Sequence, residues 1–185
     1  MTQDTRTKLV HTAARLIWEK GFVGTGLKEI LSQSQLPKGS LYHHFPGGKV
    51  ELVTEALQYN ATQMLHTYGK AMRGTKSPER GLAAIFDAVG QEMVNSDFRR
   101  GCPLATVALE VGPEQPGNQE ALESYYHMWE DALTGYLERK SVREARETAI
   151  NFLTLLEGGF ILARSHRDIR FLLRLKATLP AIINY

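Results

Sequence analysis

Helical periodicity runs through almost the whole chain and constrains its fold more than any other feature. Apolar residues recur every three or four positions, as in Leu9, Val10, Ala13, Leu16 and Ile17, and strand-like alternation is nearly absent. This spacing places apolar side chains along one face of a helix. The pattern predicts an all-α protein of about nine helices, three short ones followed by six mostly longer ones.

Glycines, prolines and capping residues indicate where these helices begin and end. Gly21 is expected to stop the first helix, Pro78 and Pro103 to begin the fifth and sixth, and Ser141 with Glu144 to form a capping box for the eighth. The first four helices are predicted at about residues 5–20, 27–34, 38–45 and 49–73, the sixth at 103–111, the seventh at 118–139, and a ninth from 168 to 180.

Charge and cysteine content limit the functional classes. Residues 1–50 carry seven Lys or Arg and three acids, which gives +4, whereas the other residues carry 15 bases and 17 acids, which gives −2. A basic head on a mildly acidic body suits a polyanion contacted by the head alone. The single cysteine, Cys102, excludes an internal disulfide and a multi-cysteine zinc site.

Targeting segments are not evident in the sequence. No apolar run approaches the roughly 20 residues of a membrane span, and the N-terminal residues lack the apolar core of a signal peptide. We therefore expect a cytoplasmic protein without a membrane partner.

Two short segments, TGLKEILSQSQ and LPKGSLYHHFPGGK, form the most informative motif. The second is opened by Pro37 and is rich in hydroxyl, imidazole and ammonium donors. Two short helices joined by a tight turn, the second rich in donors, are typical of a helix-turn-helix whose second helix enters the DNA major groove.

This motif resembles the DNA-binding head of the TetR family of bacterial repressors. The matching residues are Gly21 and Phe22 after the first helix, Thr25, Lys38, Gly39, Ser40, Tyr42, His44, Phe45 and Lys49. Two positions depart from the commonest pattern. Gln35 stands where glycine is usual, so a positive φ is expected there, and the Gly47-Gly48 pair is similar to the LmrA/YxaF-type branch.

The resemblance implies a division of labour among the polar residues of the head. Thr25, Tyr42 and Lys49 are expected to bind phosphate, His43 to read bases, and Lys38 and Ser40 to contact either. Leu41 and Phe45 are expected to anchor the helix in the core. The predicted DNA-binding set is Thr25, Lys28, Lys38, Gly39, Ser40, Tyr42, His43, His44 and Lys49.

The second half of the chain is where the resemblance places an effector pocket. The candidate ligand-binding residues are Met64, Phe86, Met93, Leu104, Val107, Tyr125, Trp129, Phe152 and Phe160. As a group, adaptable methionines and aromatic rings favour an apolar or aromatic small molecule, whereas singly each residue also suits an ordinary core. Cys102, just before a helix start, permits a redox or electrophile sensor or a small buried corner residue.

The last two predicted helices are expected to form a homodimer interface, as the resemblance implies. The candidate interface residues are Leu153, Leu156, Gly158, Gly159, Leu162, Leu172, Leu175 and Leu179. Glycines within a helix cost about 1 kcal/mol each relative to alanine, and close helix approach would explain them. Intrachain packing of the same stripe is the alternative.

The sequence thus predicts a helix-turn-helix DNA-binding domain at 1–48 and an effector-binding and dimerisation domain at 49–185. The expected function is a ligand-responsive regulator, a repressor that binds a palindromic double-stranded DNA operator until an effector binds. The alternatives are a DNA-binding protein without a small ligand, and a helical enzyme or carrier that retained the head. Scattered histidines and the lack of a phosphate loop or nucleophile elbow predict no metal, no cofactor and no enzymatic activity.

Overall fold

The computed structural model describes residues 4–112 and 115–183, and within these ranges the chain is helical without strands. The helices are α1 (Thr5–Lys20), α2 (Leu27–Ser34), α3 (Lys38–His44), α4 (Lys49–Met72), α5 (Pro78–Asn95), α6 (Pro103–Ala108), α7 (Pro116–Arg139), α8 (Ala145–His166), α9 (Arg170–Leu175) and α10 (Leu179–Ile183). A 3-10 turn at Lys176–Thr178 joins the last two, so the predicted ninth helix consists of these three pieces. The predicted all-α class is confirmed.

One predicted helix start is wrong. Ser141 has φ +58° and its N–H bonds to the Glu138 carbonyl at 2.9 Å, so it belongs to the end of α7. Glu144 is the N-cap of α8 and makes no side-chain capping bond. The capping box predicted for Ser141 and Glu144 is therefore absent, because Ser141 lies in the turn that ends α7 and is not the N-cap of α8.

The chain forms two compact units. The head unit comprises residues 1–62 and 102–125, and the body unit comprises 63–101 and 126–185. Helices α4 and α7 contribute a segment to each unit. The predicted functional domains, 1–48 and 49–185, are each one continuous segment of the chain, whereas each compact unit combines two separate segments.

The head unit is built around α1, which contacts α2, α3 and α6. Its fully buried side chains include Leu9, Leu16 and Ile17 of α1, Ile30 of α2, Leu41 of α3, Leu52 and Leu57 of α4, and Leu104 and Val107 of α6. Asn60 is also buried, and its amide donates to the Ala14 carbonyl at 3.0 Å. These contacts hold the two short helices of the motif on a fixed base.

The body unit packs α5, α8, α9 and α10 around aromatic pairs. The ring centroids of Phe86 and Phe152 lie 5.1 Å apart, and those of Tyr68 and Trp129 lie 5.6 Å apart. No helix in the described ranges combines the length and the apolar character needed to cross a membrane.

Candidate nucleic-acid interface

The turn between α2 and α3 depends on Gln35. This residue adopts the left-handed conformation, with φ 56° and ψ 37°. The N–H of Gln35 bonds to the Ser32 carbonyl and that of Leu36 to the Leu31 carbonyl, both at 3.2 Å. These bonds satisfy carbonyl groups at the end of α2, as in other left-handed helix caps. The positive φ expected for Gln35 is confirmed.

Helix α3 is anchored on one side and open on the other. Leu41 and Phe45 are completely buried, whereas Tyr42 is 46% exposed. Lys38 and His43 are exposed too. Because side chains at i and i+4 share a helix face, Lys38 and Tyr42 lie together, with the ammonium 5.8 Å from the ring centroid. The helix thus presents donors to solvent from a rigid base.

The neighbouring positions complete this surface. Apart from the neighbouring residues of its own helix, a Cβ on Gly39 would meet no atom within 4 Å, so a duplex could approach the backbone there. The His43 and His44 rings meet edge to face, with centroids 4.9 Å apart. Ser40 and His44 are half-buried, and Lys28 on α2 is exposed. We call the surface formed by Lys38, Gly39, Ser40, Tyr42, His43 and His44 the donor face.

Two glycines link the donor face to α4. The Gly47 N–H donates to Glu51 Oε2 at 2.8 Å, so the Glu51 carboxylate satisfies a donor beside the start of α4. Gly48 has φ +69°, and a Cβ there would lie 3.7 Å from the Tyr42 ring. The departure from the usual sequence pattern therefore corresponds to a backbone conformation that suits glycine.

Thr25 lies inside the corner between α1 and α2. Its side chain is buried, and its hydroxyl donates to the Gly21 carbonyl at 2.7 Å. The N-cap of α2 is Gly26, without a side-chain bond. A threonine hydroxyl has one proton to donate. Since that proton is used inside the protein, a phosphate contact through the Thr25 hydroxyl would need this bond to open, and the contact stays a prediction.

Lys49 also points into this corner. Its ammonium donates to the Phe22 carbonyl at 2.6 Å and lies 4.2 Å from the centroid of the Phe22 ring. Burial lowers the pKa of Lys49, and the nearby Glu110 carboxylate partly opposes this shift. The lysine predicted to bind phosphate therefore has a partner within the head unit, and a phosphate contact would need it to move.

Glu110 holds the same corner from the other side. Its Oε2 accepts from the N–H groups of Phe22 at 2.5 Å and Val23 at 3.0 Å. Glu110 lies two residues beyond the end of α6, and its own N–H bonds to the Val107 carbonyl at 2.9 Å. The sequence analysis assigned no role to Glu110. Its partners lie 87 and 88 positions away and are backbone groups, so no local sequence pattern marks it.

Comparison with known proteins identifies the family. Residues 9–56 match the bacterial regulatory proteins of the tetR family, and residues 78–178 match the C-terminal domain of LmrA/YxaF-like transcriptional regulators. The chain is also 33% identical over 174 residues to the helix-turn-helix-type transcriptional regulator Rv0196 of Mycobacterium tuberculosis, which covers 90% of this chain and 88% of the relative. The chain belongs to the TetR family.

Two further similarities concern a second relative and the fold. LmrA, a helix-turn-helix-type transcriptional regulator of Bacillus subtilis, is 28% identical over 184 residues, or 97% of each chain. The structure of a cysteine mutant of CifR, a TetR-family regulator, superposes with a TM-score of 0.81 at 22% identity and covers 97% of this chain and 96% of that one. Membership of the TetR family makes the protein a DNA-binding transcriptional regulator rather than an enzyme.

The residues predicted to sense a ligand in this TetR-family protein divide between the two units. Met64, Phe86, Met93, Trp129, Phe152 and Phe160 are buried in the body unit, and Leu104 and Val107 are buried in the head unit. Tyr125, also in the head unit, donates to the Thr54 carbonyl at 3.4 Å, and burial raises its pKa. A cleft of about 360 Å³ in the body unit is lined by Pro78, Glu79, Lys140, Ser141, Val142, Arg143 and Ile183. None of the predicted ligand-binding residues lines this cleft, so the effector site stays a prediction.

Cys102 is a buried N-cap. It is 2% exposed, and its Sγ accepts from the Ala105 N–H at 3.4 Å. This environment fits the alternative of a small corner residue at the start of α6. No group of three or more His, Cys, Asp or Glu within residues 4–112 and 115–183 is arranged to hold a metal ion.

The predicted dimer residues face two different ways. Leu153, Leu156, Leu172 and Leu179 are buried within the chain, and Leu175 is half-buried. A Cβ on Gly159 would lie 2.7 Å from Leu172 and 2.9 Å from Leu175, so this glycine allows close approach of α9 to α8. These residues have little surface left within one copy of the chain, and the predicted interface stays a prediction. Only Gly158 and Leu162 of the set are exposed.

Proposed function

We propose that this TetR-family regulator is a repressor that binds a palindromic operator as a homodimer and releases it when a small apolar or aromatic molecule binds. The observation that carries the proposal is the donor face, held on a helix whose Leu41 and Phe45 are fully buried. A preorganised helix with exposed donors is what major-groove recognition requires. A cysteine mutant of CifR, which shares the fold, has a solved structure in complex with a 26-bp double-strand operator DNA.

Within the donor face, contacts to phosphate and to bases come from different residues. Tyr42 and Lys38 lie together on one side of α3 and supply a hydroxyl and an ammonium for phosphate oxygens. His43 is exposed next to them and offers ring nitrogens to base edges. Lys28, exposed on α2, adds a further phosphate contact. In this arrangement the lysines would contribute affinity for any duplex, and His43 would contribute selectivity for particular base pairs.

A homodimer is supported by an apolar stripe on α8. Ile161 is 51% exposed, Leu162 47% and Ile150 36%. Thr154 and Gly158, also exposed, lie between them at helical spacing. On α9, Leu173 is 38% exposed. We propose this stripe as the interface, in place of the buried leucines, with the two recognition helices about 34 Å apart to match one turn of DNA.

For the effector, the body unit offers an aromatic and methionine-rich interior. The Phe86–Phe152 and Tyr68–Trp129 pairs are buried, together with Met64 and Met93. Methionine side chains repack readily, which lets an interior admit a small apolar molecule. Such a molecule would act as an inducer only if it binds one DNA-binding conformation better than another.

Selection from a pool of random duplexes tests the proposal. The wild-type protein should enrich one palindromic sequence, and a library of small aromatic and aliphatic compounds should contain members that raise the melting temperature and release that duplex. Enrichment of a palindrome with no compound response would favour a DNA-binding protein without a small ligand. Failure to enrich any sequence would contradict operator recognition.

A further inference from the structure

We propose that Glu110 is a positioning residue for DNA binding, whose carboxylate fixes the corner between α1 and α2 and makes α6 part of the DNA-binding head. The inference rests on the proposed recognition of DNA by the donor face, which follows this corner in the chain. It concerns the residues of the head unit alone.

The first support is the geometry of the carboxylate. A single oxygen, Glu110 Oε2, accepts from two successive N–H groups, those of Phe22 at 2.5 Å and Val23 at 3.0 Å. Val23 is 71% exposed, so its peptide lies near the surface, where water would otherwise compete for its N–H. Hydrogen bonds from neutral donors to an ionised acceptor are stronger than those between neutral groups. The carboxylate therefore fixes two peptides that no regular helix holds.

The second support is the space that Gly21 leaves. A Cβ on Gly21 would lie 2.5 Å from both carboxylate oxygens of Glu110, closer than any real contact allows. Gly21 also has φ +77°, a conformation that favours glycine. The corner thus has a shape that admits the Glu110 side chain, and any side chain at Gly21 would displace it.

The third support is a matching cation on the other side. While Glu110 binds the Phe22 N–H, Lys49 binds the Phe22 carbonyl at 2.6 Å. A carboxylate just after α6 and an ammonium at the start of α4 therefore bind the two backbone groups of the same residue. Helix α6 also packs against α1, so the Glu110 hydrogen bonds add to an existing contact between these two helices.

The consequence for DNA binding follows from conformational populations. Without the carboxylate, the Phe22 and Val23 N–H groups lose their acceptor and the corner gains alternative conformations. Only a head with α2 and α3 correctly placed fits the groove, and apparent affinity falls with the fraction of competent molecules. Losing charged hydrogen bonds of this kind predicts an affinity loss of about tenfold.

The sign of this effect separates positioning from simple electrostatics. Removing an acid makes the protein more positive, which by itself strengthens binding to any duplex. Glu110→Ala should nevertheless weaken binding to the duplex selected by the wild type, while binding to a scrambled duplex stays equal or becomes tighter. Glu120→Ala is the matched control, since Glu120 is an exposed acid of α7 in the same unit.

The experiment compares full-length wild type, Glu110→Ala, Glu110→Gln and Glu120→Ala by duplex affinity and by amide hydrogen exchange. We expect faster exchange at Phe22 and Val23 in Glu110→Ala, a smaller increase in Glu110→Gln, whose amide oxygen can still accept, and none in Glu120→Ala. If Glu110→Ala does not fold, Glu110→Gln alone must show both the faster exchange and weaker selective binding.

Exchange and selective affinity in the Glu110 variants equal to those of Glu120→Ala would overturn the proposal. The exchange measurement uses no DNA. A wild-type protein that selects no duplex would instead contradict the proposed function, and the exchange rates would still test whether Glu110 holds the corner.

Discussion

The Lys49 ammonium donates to the Phe22 carbonyl at 2.6 Å and lies over the ring of the same residue, 4.2 Å from its centroid. One charged side chain thus binds both the backbone and the side chain of a single corner residue. This contact joins the first residue of α4 to the turn that precedes α2. A lysine that the sequence assigns to phosphate binding is therefore also a structural element of the free head.

Lys49→Met should lower both stability and DNA affinity. Methionine keeps most of the aliphatic stem but leaves the Phe22 carbonyl without its charged donor, which should cost about 1 kcal/mol of unfolding free energy. Denaturant unfolding measures this change. Lys28→Met is the control, because Lys28 is exposed on α2 and should affect the salt dependence of binding without affecting unfolding. Equal unfolding free energies for wild type and Lys49→Met would show that the corner contact contributes nothing.

Tyr42→Phe and His43→Ala should have different effects on duplex binding. Loss of the Tyr42 hydroxyl should weaken binding to all duplexes alike, because it removes a contact to the phosphate backbone. Loss of the His43 ring should relax preference at particular base pairs by roughly 1–3 kcal/mol each. Affinities for a panel of single-base-pair variants of the selected duplex separate the two effects. A Tyr42→Phe protein that changes which sequence is preferred would reverse these roles.

The sequence predicted the helices well because helix formation depends on local patterns, whereas the DNA contacts of the donor face stay a prediction. Periodicity located the first three helices, and the resemblance to a family in which glycine is usual at position 35 indicated the positive φ of Gln35. The hydrogen bonds of Thr25 and Lys49 within the protein could not be predicted from the sequence. Each side chain carries a donor that suits phosphate, and only the structure shows that the Gly21 and Phe22 carbonyl groups accept from them.

Gly159→Ala should destabilise the body unit. The new Cβ would lie 2.7 Å from a terminal methyl group of the buried Leu172, so this side chain would have to repack or α9 would have to move away from α8. Overpacking of this kind costs typically about 1–3 kcal/mol. The matched change, Gly69→Ala in α4, meets no atom within 4 Å and should stabilise by up to about 1 kcal/mol through helix propensity. Thermal unfolding of both variants gives the comparison, and a Gly159→Ala protein as stable as Gly69→Ala would contradict close α8–α9 packing.

The proposed interface stripe on α8 shows a second feature that the sequence pattern does not resolve. Leucines occur on several faces of α8, so periodicity alone does not indicate which face α9 covers. The structure assigns Leu153 and Leu156 to the interior and leaves Ile161 and Leu162 at the surface. A sequence pattern records that a residue is apolar, but the packing partner depends on contacts between distant segments.

Leu162→Glu should weaken self-association. A charge placed in an apolar interface loses solvation without gaining a partner, and the dimer dissociation constant should rise by at least about tenfold. Sedimentation equilibrium at micromolar concentration measures the shift. Val94→Glu is the control, since Val94 is 44% exposed on α5, outside the stripe. If Leu162→Glu and wild type dissociate alike, the interface lies elsewhere.

The most direct test of the central claim, that the donor face of α3 contacts DNA, is hydroxyl-radical footprinting of side chains in the free protein and in complex with the selected duplex. Tyr42 is 46% exposed in the free protein, Val94 is 44% exposed on the body unit, and His43 is also exposed. We expect saturating duplex to slow oxidation of Tyr42 and His43 severalfold while Val94 reacts at an unchanged rate. Oxidation of Tyr42 and His43 at the same rate with and without bound duplex would contradict the claim.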